Sequence, residues 1–240
     1  MTYDNLDGLY LKWASFVRPV AYNGNIVILN EKDDAFIFLD REQSEYLKSI
    51  WDKSIYSMSA DEKSVATQLI STGLLVQSNN PCKKIVLHEV ISNGMSDSRW
   101  TMTEQKLELK SFRLMYFLQA LISLKKAQKL TSNGDLRQLF AILTKALPSS
   151  YEINDAELLV IAKNTNLAMK IMLKRVRCLE FAFAVSRLAF KNNIYCRFMI
   201  GVQTHPFVSH AWIEGENGVV MDRPLLSSEL AVLKSIGGDK

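Results

Sequence analysis

Three residues in the last third of the chain are of the types that a nucleophilic thiol site requires: Cys178, His210 and Asp222. A thiolate attacks a carbonyl carbon, and a neighbouring histidine acts first as base and then as acid. A third group must fix the tautomer of that histidine. The three residue types therefore point to acyl-transfer chemistry on a cysteine.

Cys178 precedes an apolar pattern that predicts a helix over 179–190, so the thiol is expected near a helix N-terminus. The partial positive charge there, together with Arg175 and Arg177 just before it, favours the thiolate. No proline, glycine or capping residue marks the start of this helix, so the break before Cys178 is an inference from the chemistry. Because a lone cysteine is far more often a small buried residue, the assignment depends on the histidine.

His210 lies in an extended segment, where alternation places it on one face with Trp212 and Glu214. Ala211 and Ile213 take the opposite face. Glu214 is a competing carboxylate, but it lies about 13 Å along the strand from His210 at roughly 3.3 Å per residue. That distance is too long for a direct hydrogen bond, so Asp222 is the predicted orienting group.

Hairpin geometry decides whether Asp222 can reach His210. A two-residue loop at 217–218 would turn the carboxylate away from the histidine. A three-residue loop at 216–218, with Gly218 in the left-handed conformation, would place it diagonally across from His210. We predict the three-residue loop, in which Glu216 is only a turn residue.

The other cysteines and histidines receive no chemical role. Cys196 falls in a predicted strand and is expected in the core, and Cys82 lies at a predicted domain boundary. His205 precedes a proline in a loop, and His88 lies in a stretch of ambiguous pattern. Three distant cysteines exclude a disulfide framework and a paired Cys-x-x-Cys metal site, so we expect no metal or cofactor.

The composition is that of a soluble globular protein, with 48% apolar and 22% charged residues among 240. A net charge of +4 is too small to indicate nucleic-acid binding. The N-terminus lacks the pattern of a signal peptide, and the most apolar later run, 112–124, is too short to cross a membrane. We therefore expect a cytoplasmic protein, in which a thiol can stay reduced.

Residues 1–80 predict a small α+β module of three antiparallel strands followed by helices. Asn23-Gly24 is a hairpin signal, Asp40 and Gln43 predict a capped helix, and Ser59 opens a second helix that ends at Gly73. The predicted strands are 16–22, 26–29 and 35–39.

The break at 78–81 separates this module from a predicted linker, 81–102, and a second domain, 103–240. The second domain predicts helices first and an antiparallel sheet last. The predicted helical stretches are 103–147, divided at 132–134, then 155–174 and 179–190. The predicted strands are 195–202, 209–214 and 219–222.

Within this second domain, about 50 residues resemble the leader peptidase, or B protein, of lasso-peptide biosynthesis. The likeness is carried by Cys178-Leu179-Glu180, by the run from Met199 to Phe207 and by Ser209-His210-Ala211-Trp212-Ile213-Glu214. The chain departs from many members at Phe181-Ala182-Phe183-Ala184. It departs again at Asn192-Asn193, where a glycine is usual.

The resemblance implies a papain-related, transglutaminase-like fold and a catalytic triad of Cys178, His210 and Asp222. It implies a cysteine peptidase that cleaves the leader from a ribosomally made precursor peptide before macrolactam formation. The ring would be closed by a separate, asparagine-synthetase-like cyclase, which uses the ATP. The peptidase itself would need no cofactor, and its partners would be the precursor peptide and that cyclase.

The first module is similar to the small winged-helix-like recognition domain of ribosomal-peptide maturation enzymes. Such domains add a leader peptide as a strand to the edge of their sheet. The helix over 59–72 would form the other wall of that groove. A stabilising appendage without a binding role is the alternative. The predicted leader-binding residues are Ala35, Phe36, Ile37, Phe38 and Leu39.

Two other functions use the same residues. A transglutaminase or thiol acyltransferase would pass the acyl group from Cys178 to an amine or alcohol instead of water. A non-catalytic peptide-binding scaffold would keep the triad without using it. Basic residues spread over 106–177 indicate a solvated helix face or a docking surface for a partner.

Overall fold

The computed structural model describes residues 10–50, 53, 57–78, 87, 89–95, 100 and 111–238. The chain divides into two compact units. The first contains residues 1–31 and 35–91, and the second contains residues 32–34 and 92–240.

The first unit is built on a sheet in the order β4-β3-β2-β6. Strands β2, β3 and β4 pair antiparallel, as predicted, while β6 adds to β2 in parallel. Positive φ angles at Asn23 and Gly24 fit the tight hairpin that the sequence predicts. A separate antiparallel pair joins β1 to β5. The strands are β1 (Tyr10–Trp13), β2 (Val17–Tyr22), β3 (Asn25–Asn30), β4 (Ala35–Leu39), β5 (Leu75–Ser78) and β6 (Glu89–Val90).

Two capped helices complete the first unit: α1 (Arg41–Ser49) and α2 (Ala60–Ser71). Asp40 accepts a hydrogen bond from the backbone N–H of Gln43 at 2.8 Å, which confirms the predicted cap. The backbone N–H of Ser59 donates to Glu62 at 2.8 Å at the start of α2. Helix α1 packs against β3 and β4, and α2 packs against α1 and β5.

The helices and strands of this unit close over one apolar core, which includes Val17, Ile28, Leu47, Leu69 and Leu75. A buried hydroxyl, that of Ser44, ties α1 to the end of the β3–β4 ladder. It accepts from the Ile26 N–H at 2.8 Å and donates to the Leu39 carbonyl at 3.2 Å.

The second unit contains five helices among its described residues. The predicted division near Asn133-Gly134 separates α3 from α4, and α5 ends four residues earlier than predicted. Helix α6 lies against α3, α4 and α5 on one side and against a strand on the other. The predicted helical residues 103–110 lie outside the described part of the chain. The helices are α3 (Leu114–Ser132), α4 (Leu136–Ala146), α5 (Asp155–Lys170), α6 (Cys178–Lys191) and α7 (Leu226–Glu229).

The sheet of the second unit follows these helices along the chain, as predicted. Its strands pair antiparallel in the order β10-β7-β8-β9. Helix α7 and strand β10 follow Asp222, where no element was predicted. Because α6 packs on β8, the start of this helix is brought to the strand that carries His210. The strands are β7 (Arg197–Gln203), β8 (Val208–Gly215), β9 (Gly218–Val219) and β10 (Ala231–Ile236).

The predicted linker, 81–102, is shared between the two units. Its residues 89–90 form β6 of the first unit, whereas Met95 belongs to the second. The Gln203 side chain accepts from the Met95 N–H at 2.6 Å and donates to the Met95 carbonyl at 3.2 Å. Cys82 and His88 lie outside the described residues. The functional division into 1–80 and 103–240 stays a prediction.

Candidate active site

Cys178 is the first residue of α6, which confirms its predicted place at a helix N-terminus. The break before it is capped by a side chain from within the helix. The carboxylate of Glu180 accepts from the backbone N–H of Arg177 at 2.9 Å and from the Thr131 hydroxyl at 2.8 Å. No start signal is visible in the sequence, because the N-cap residue is Arg177 rather than a serine, threonine, asparagine or aspartate. Glu180, three residues later, supplies only the second half of a capping box.

The structure brings Cys178, His210 and Asp222 together. The Nε2 atom of His210 lies 2.9 Å from Oδ2 of Asp222. The side chains of His210 and Cys178 are also hydrogen-bonded, and the Asp222 contact leaves Nδ1 of the ring for the thiol. His210 is 4% exposed, whereas Cys178 remains partly accessible. The nucleophilic residue is therefore partly accessible, while its base is shielded from water.

The pKa of the Cys178 thiol is lowered from its ordinary value. Burial acts in the opposite direction, but the hydrogen bond and positive charge of His210 outweigh it. The backbone N–H groups of Ala211 and Leu179 stabilise the thiolate further. We expected Arg175 and Arg177 to contribute. Arg177 instead pairs with Glu180 at 3.2 Å, and the stabilisation comes from His210 and the backbone.

The pKa of His210 is raised to about 9. Burial alone would lower it, but the hydrogen bonds to Asp222 and Cys178 and the negative charges of both partners hold the proton on the ring. The lowered thiol pKa and the raised imidazole pKa both favour the thiolate–imidazolium form of this pair.

The predicted three-residue hairpin loop is wrong, although Asp222 does reach His210. Strands β8 and β9 pair Gly215 with Gly218, so the loop contains two residues, 216 and 217. Continued pairing in this register would place Asp222 opposite Ala211, on the face away from the histidine. The strand ends first, and a left-handed residue, Met221 at φ 57°, redirects the chain so that the carboxylate turns to His210.

The tip of this hairpin is held by Asp155, at the start of α5. Its carboxylate accepts from the backbone N–H of Glu216 at 3.0 Å and from that of Asn217 at 2.8 Å. Glu216 is thus a turn residue, as predicted. A side chain at Gly215 would collide with Asp155, since an added Cβ would lie 2.3 Å from its Oδ1. These contacts fix the hairpin from which Asp222 extends.

The predicted alternation along β8 is confirmed by a chain of contacts on one face. The rings of His210 and Trp212 are stacked, with centroids 6.1 Å apart and planes 11° from parallel. The indole N–H of Trp212 donates to Glu214 at 2.9 Å, and Glu214 is paired with Arg197 at 2.8 Å. Glu214 therefore holds Trp212 in place and makes no direct contact with His210 among the hydrogen bonds of the site.

Gly201 lies opposite His210 on β7 and makes room for this stack. A Cβ added there would lie 2.8 Å from the Trp212 ring and 2.9 Å from the Cβ of Leu230. Both distances are shorter than real Cβ contacts, so only glycine lets the indole lie flat over the strand.

The remaining candidates lie apart from this cluster. Cys196 is fully buried just before β7, and burial raises the pKa of its thiol to about 12, so it is an inert core residue as predicted. His205 is exposed in the β7–β8 turn.

Among the described residues, no group of three acidic, histidine or cysteine side chains is arranged to hold a metal. No described helix is both long and apolar enough to cross a membrane.

Two further residues of the site were missed by sequence reasoning. The backbone N–H of Arg223 donates to Oδ1 of Asp222 at 2.8 Å, and the indole N–H of Trp100 donates to Oδ2 at 3.2 Å. A residue next to Asp222 can be anticipated as a neighbour. No sequence signal announces Trp100, which is separated from Asp222 by more than a hundred residues.

Comparison with known proteins agrees with this geometry. Residues 120–235 match the family model of the transglutaminase-like superfamily. The matched stretch lies within the second unit, which is therefore similar to transglutaminase-like proteins over that stretch. The match includes Cys178, His210 and Asp222, and the order of helices before sheet is that expected from the sequence. No solved structure matches the chain significantly.

One curated relative supports the resemblance over part of the chain. The microcin J25-processing protein McjB of Escherichia coli is 30% identical over 87 residues. This alignment covers 36% of the present chain and 42% of the relative. The chain thus spans about two fifths of the length of that protein.

Proposed function

We propose that this protein is a cysteine peptidase that removes the leader from a ribosomally made lasso-peptide precursor. The observation that carries the proposal is the position of His210 between the partly exposed Cys178 and the carboxylate of Asp222. The transglutaminase-like match and the name of the relative as a peptide-processing protein support the same conclusion.

In the proposed reaction, the Cys178 thiolate attacks the carbonyl carbon of the scissile peptide bond. The imidazolium of His210 then gives its proton to the leaving amine, which frees the core peptide and leaves a thioester on Cys178. His210 next removes a proton from water, and the resulting hydroxide releases the leader as a carboxylic acid. Asp222 keeps Nε2 of His210 protonated throughout, so Nδ1 is the nitrogen that exchanges protons.

Charge on the carbonyl oxygen must be stabilised while the tetrahedral intermediate exists. The N–H of Cys178 belongs to the first turn of α6, where backbone donors have no partner within the helix. It is therefore the proposed oxyanion donor, assisted by the positive end of the helix dipole. The cap formed by Glu180 fixes this turn and so fixes the direction of the donor.

The proposed leader site is the edge of β4, residues Ala35, Phe36, Ile37, Phe38 and Leu39. Strand β4 is an outer strand of its sheet, and among the described residues only β3 pairs with it. A peptide bound there would gain backbone hydrogen bonds, and Phe38, which is 47% exposed, would cover its side chains. The freed amine of the core would then pass to the partner cyclase in the cytoplasm.

A peptide assay tests this function directly. The substrate is a short candidate precursor peptide from a neighbouring reading frame, which must first be identified; it is incubated with the protein and the cyclase and followed by mass spectrometry. We expect two fragments whose masses add to the precursor plus one water. Cys178→Ala should reduce the cleavage rate by at least about 10³-fold, since the nucleophile is lost.

Cys196→Ala is the matched control, because it removes a buried thiol that plays no part in the chemistry. It should leave the cleavage rate within about twofold of the wild type. An intact precursor with the wild-type protein and the cyclase would disprove the function. Cleavage that persists in Cys178→Ala would disprove the mechanism, and a fragment bearing an added amine would identify an acyltransferase instead.

A further inference from the structure

Trp100 lies in the segment that the sequence assigns to a linker, yet it contacts the catalytic cluster of the second unit. Its indole N–H donates to Oδ2 of Asp222 at 3.2 Å. The same oxygen lies 2.9 Å from Nε2 of His210. The tryptophan and the histidine therefore share one carboxylate oxygen.

The ring of Trp100 also contacts the helix that carries the nucleophile. Its centroid lies 5.8 Å from that of Phe181, with the planes inclined by 48°. Phe181 is buried and follows Cys178 by three residues, so the two lie on the same face of α6. One side chain thus joins the start of α6 to the carboxylate behind the histidine.

Met95, the described residue that precedes Trp100, is held within the second unit. Both backbone polar groups of Met95 are bonded to the fully buried Gln203. The Met95 side chain packs in an apolar cluster that includes Trp212 and Leu230. Met95, five residues before Trp100, is thus anchored in the same unit as Asp222.

We propose that Trp100 is a positioning residue of the catalytic triad, which acts by fixing the carboxylate of Asp222 against His210. An aspartate that rotates about its side-chain bonds presents either oxygen to the ring. The indole donor on Oδ2 and the Arg223 N–H on Oδ1 each favour the single orientation seen here. This inference rests on the proposed function, in which the Asp222 contact keeps Nε2 of His210 protonated so that Nδ1 exchanges the catalytic proton.

The pKa of His210 depends on the ionisable groups that contact it. Cys178 on α6 and Asp222 after β9 contact it directly. The neighbouring charged side chains are engaged in ion pairs with other residues. These pairs are Glu214 with Arg197, Arg223 with Glu229, and Arg177 with Glu180.

The test measures alkylation of Cys178 by iodoacetamide as a function of pH, with the labelled peptide quantified by mass spectrometry. This readout needs no precursor peptide, so it remains informative even if the proposed function fails. The wild-type rate should change once as Cys178 titrates and again near pH 9 as His210 loses its proton. In Trp100→Phe, which keeps a ring against Phe181 but removes the donor, the upper inflection should move down by about one pH unit.

Three comparisons decide whether the shift comes through Asp222. Asp222→Asn should lower the upper inflection by itself, and adding Trp100→Phe to it should produce no further shift. Phe181→Leu, which loses the ring contact but keeps the indole N–H, should retain the wild-type inflection. Trp13→Phe makes the same chemical change in the first unit and should also leave the inflection in place.

An unchanged upper inflection in Trp100→Phe would overturn the proposal. The proposal would also be overturned if Trp100→Phe lowered the upper inflection equally in the Asp222→Asn background, or if Phe181→Leu lowered it equally. Either result would show that the effect comes from packing. In the peptide assay, Trp100→Phe should lower kcat about tenfold and leave KM within about twofold. A change confined to KM would also contradict a positioning role.

Discussion

The two four-stranded sheets of the described chain use their strands in different ways. Strand β8 of the second unit pairs with β7 along its length, and its alternating side chains form one functional face, His210, Trp212 and Glu214. Strand β4 of the first unit is an outer strand of its sheet, so its backbone edge is what it can offer to a peptide. The side chains on one face of a strand can hold a few atoms in place for a reaction. The backbone groups at the edge of a sheet can instead bind a peptide of almost any sequence.

The side chains of the two strands also differ in how far they are buried. His210 is 4% exposed because a charged pair with Cys178 and Asp222 is strengthened when water is excluded. Phe38 on β4 is 47% exposed, as expected where a partner would complete the burial. Variants in the two sheets should therefore separate catalysis from binding.

The largest expected effect is the dependence of cleavage on pH. In the proposed mechanism the reactive pair is a Cys178 thiolate and a His210 imidazolium, so kcat/KM should rise as the thiol loses its proton, below its ordinary titration range. It should fall above about pH 9, as His210 loses its proton. Two pH units beyond that limit the rate should be about 100-fold lower.

The affinity for the leader peptide should depend on pH less than cleavage does. The affinity for a labelled leader peptide, measured by fluorescence anisotropy, should vary little between pH 6 and about pH 10, because β4 offers backbone and apolar contacts. A fall of cleavage near pH 6.5 would show that His210 is not held protonated by its partners. A parallel fall of leader affinity would show that the two sheets do not act separately.

The next effect concerns the edge of β4. Phe38→Ser should weaken leader binding about tenfold, since it removes apolar surface that the peptide would cover. Cleavage at saturating precursor concentration should stay within about twofold of the wild type. The measurements are fluorescence anisotropy for binding and mass spectrometry for the rate.

Ile91→Ser is the matched control for the edge. Ile91 follows β6 at the opposite edge of the same sheet and is 85% exposed. It should leave leader affinity unchanged. Equal losses in the two variants would place the leader elsewhere than on β4.

The sequence predicted the face of β8 better than it predicted the route to Asp222. Alternation is a property of every strand, so His210, Trp212 and Glu214 could be assigned to one side without knowledge of their neighbours. The position of Asp222 depends on a left-handed backbone at Met221, a residue type that gives no sign of that conformation. The register of the hairpin was therefore predicted wrongly, even though the partner was named.

Contacts between segments that are far apart in the chain could not be predicted from the sequence. Trp100 meets Asp222, and Met95 meets Gln203, through packing across the second unit, and no local pattern encodes such pairs. Strand β6 contains two residues, too few for a periodic signal. The capping of α6 was hidden because Arg177 stands where a serine, threonine or aspartate would mark the start.

The smallest expected effect compares the two glutamates that cap α2 and α6. Glu180→Gln should weaken the first turn of α6, with about fivefold faster amide hydrogen exchange there, as for the loss of about 1 kcal/mol. Because this turn carries Cys178, cleavage should also fall about fivefold. Glu62→Gln should speed exchange only in the first turn of α2 and leave cleavage of saturating precursor unchanged.

Acid should remove the difference between Glu62→Gln and the wild type. Hydrogen bonds from Lys53, Ser49 and the Ser59 backbone lower the pKa of Glu62 to about 2, from 4.5. A carboxylate whose pKa is lower in the folded than in the unfolded protein stabilises the fold at pH values above its ordinary pKa of 4.5. This stabilisation is lost as the pH falls through the folded-state pKa of about 2. Exchange in α2 should therefore differ fully between variant and wild type at pH 7 and converge toward pH 2, after correction for the intrinsic exchange rate. If Glu62→Gln slowed cleavage as much as Glu180→Gln, the caps would not act on their own units alone.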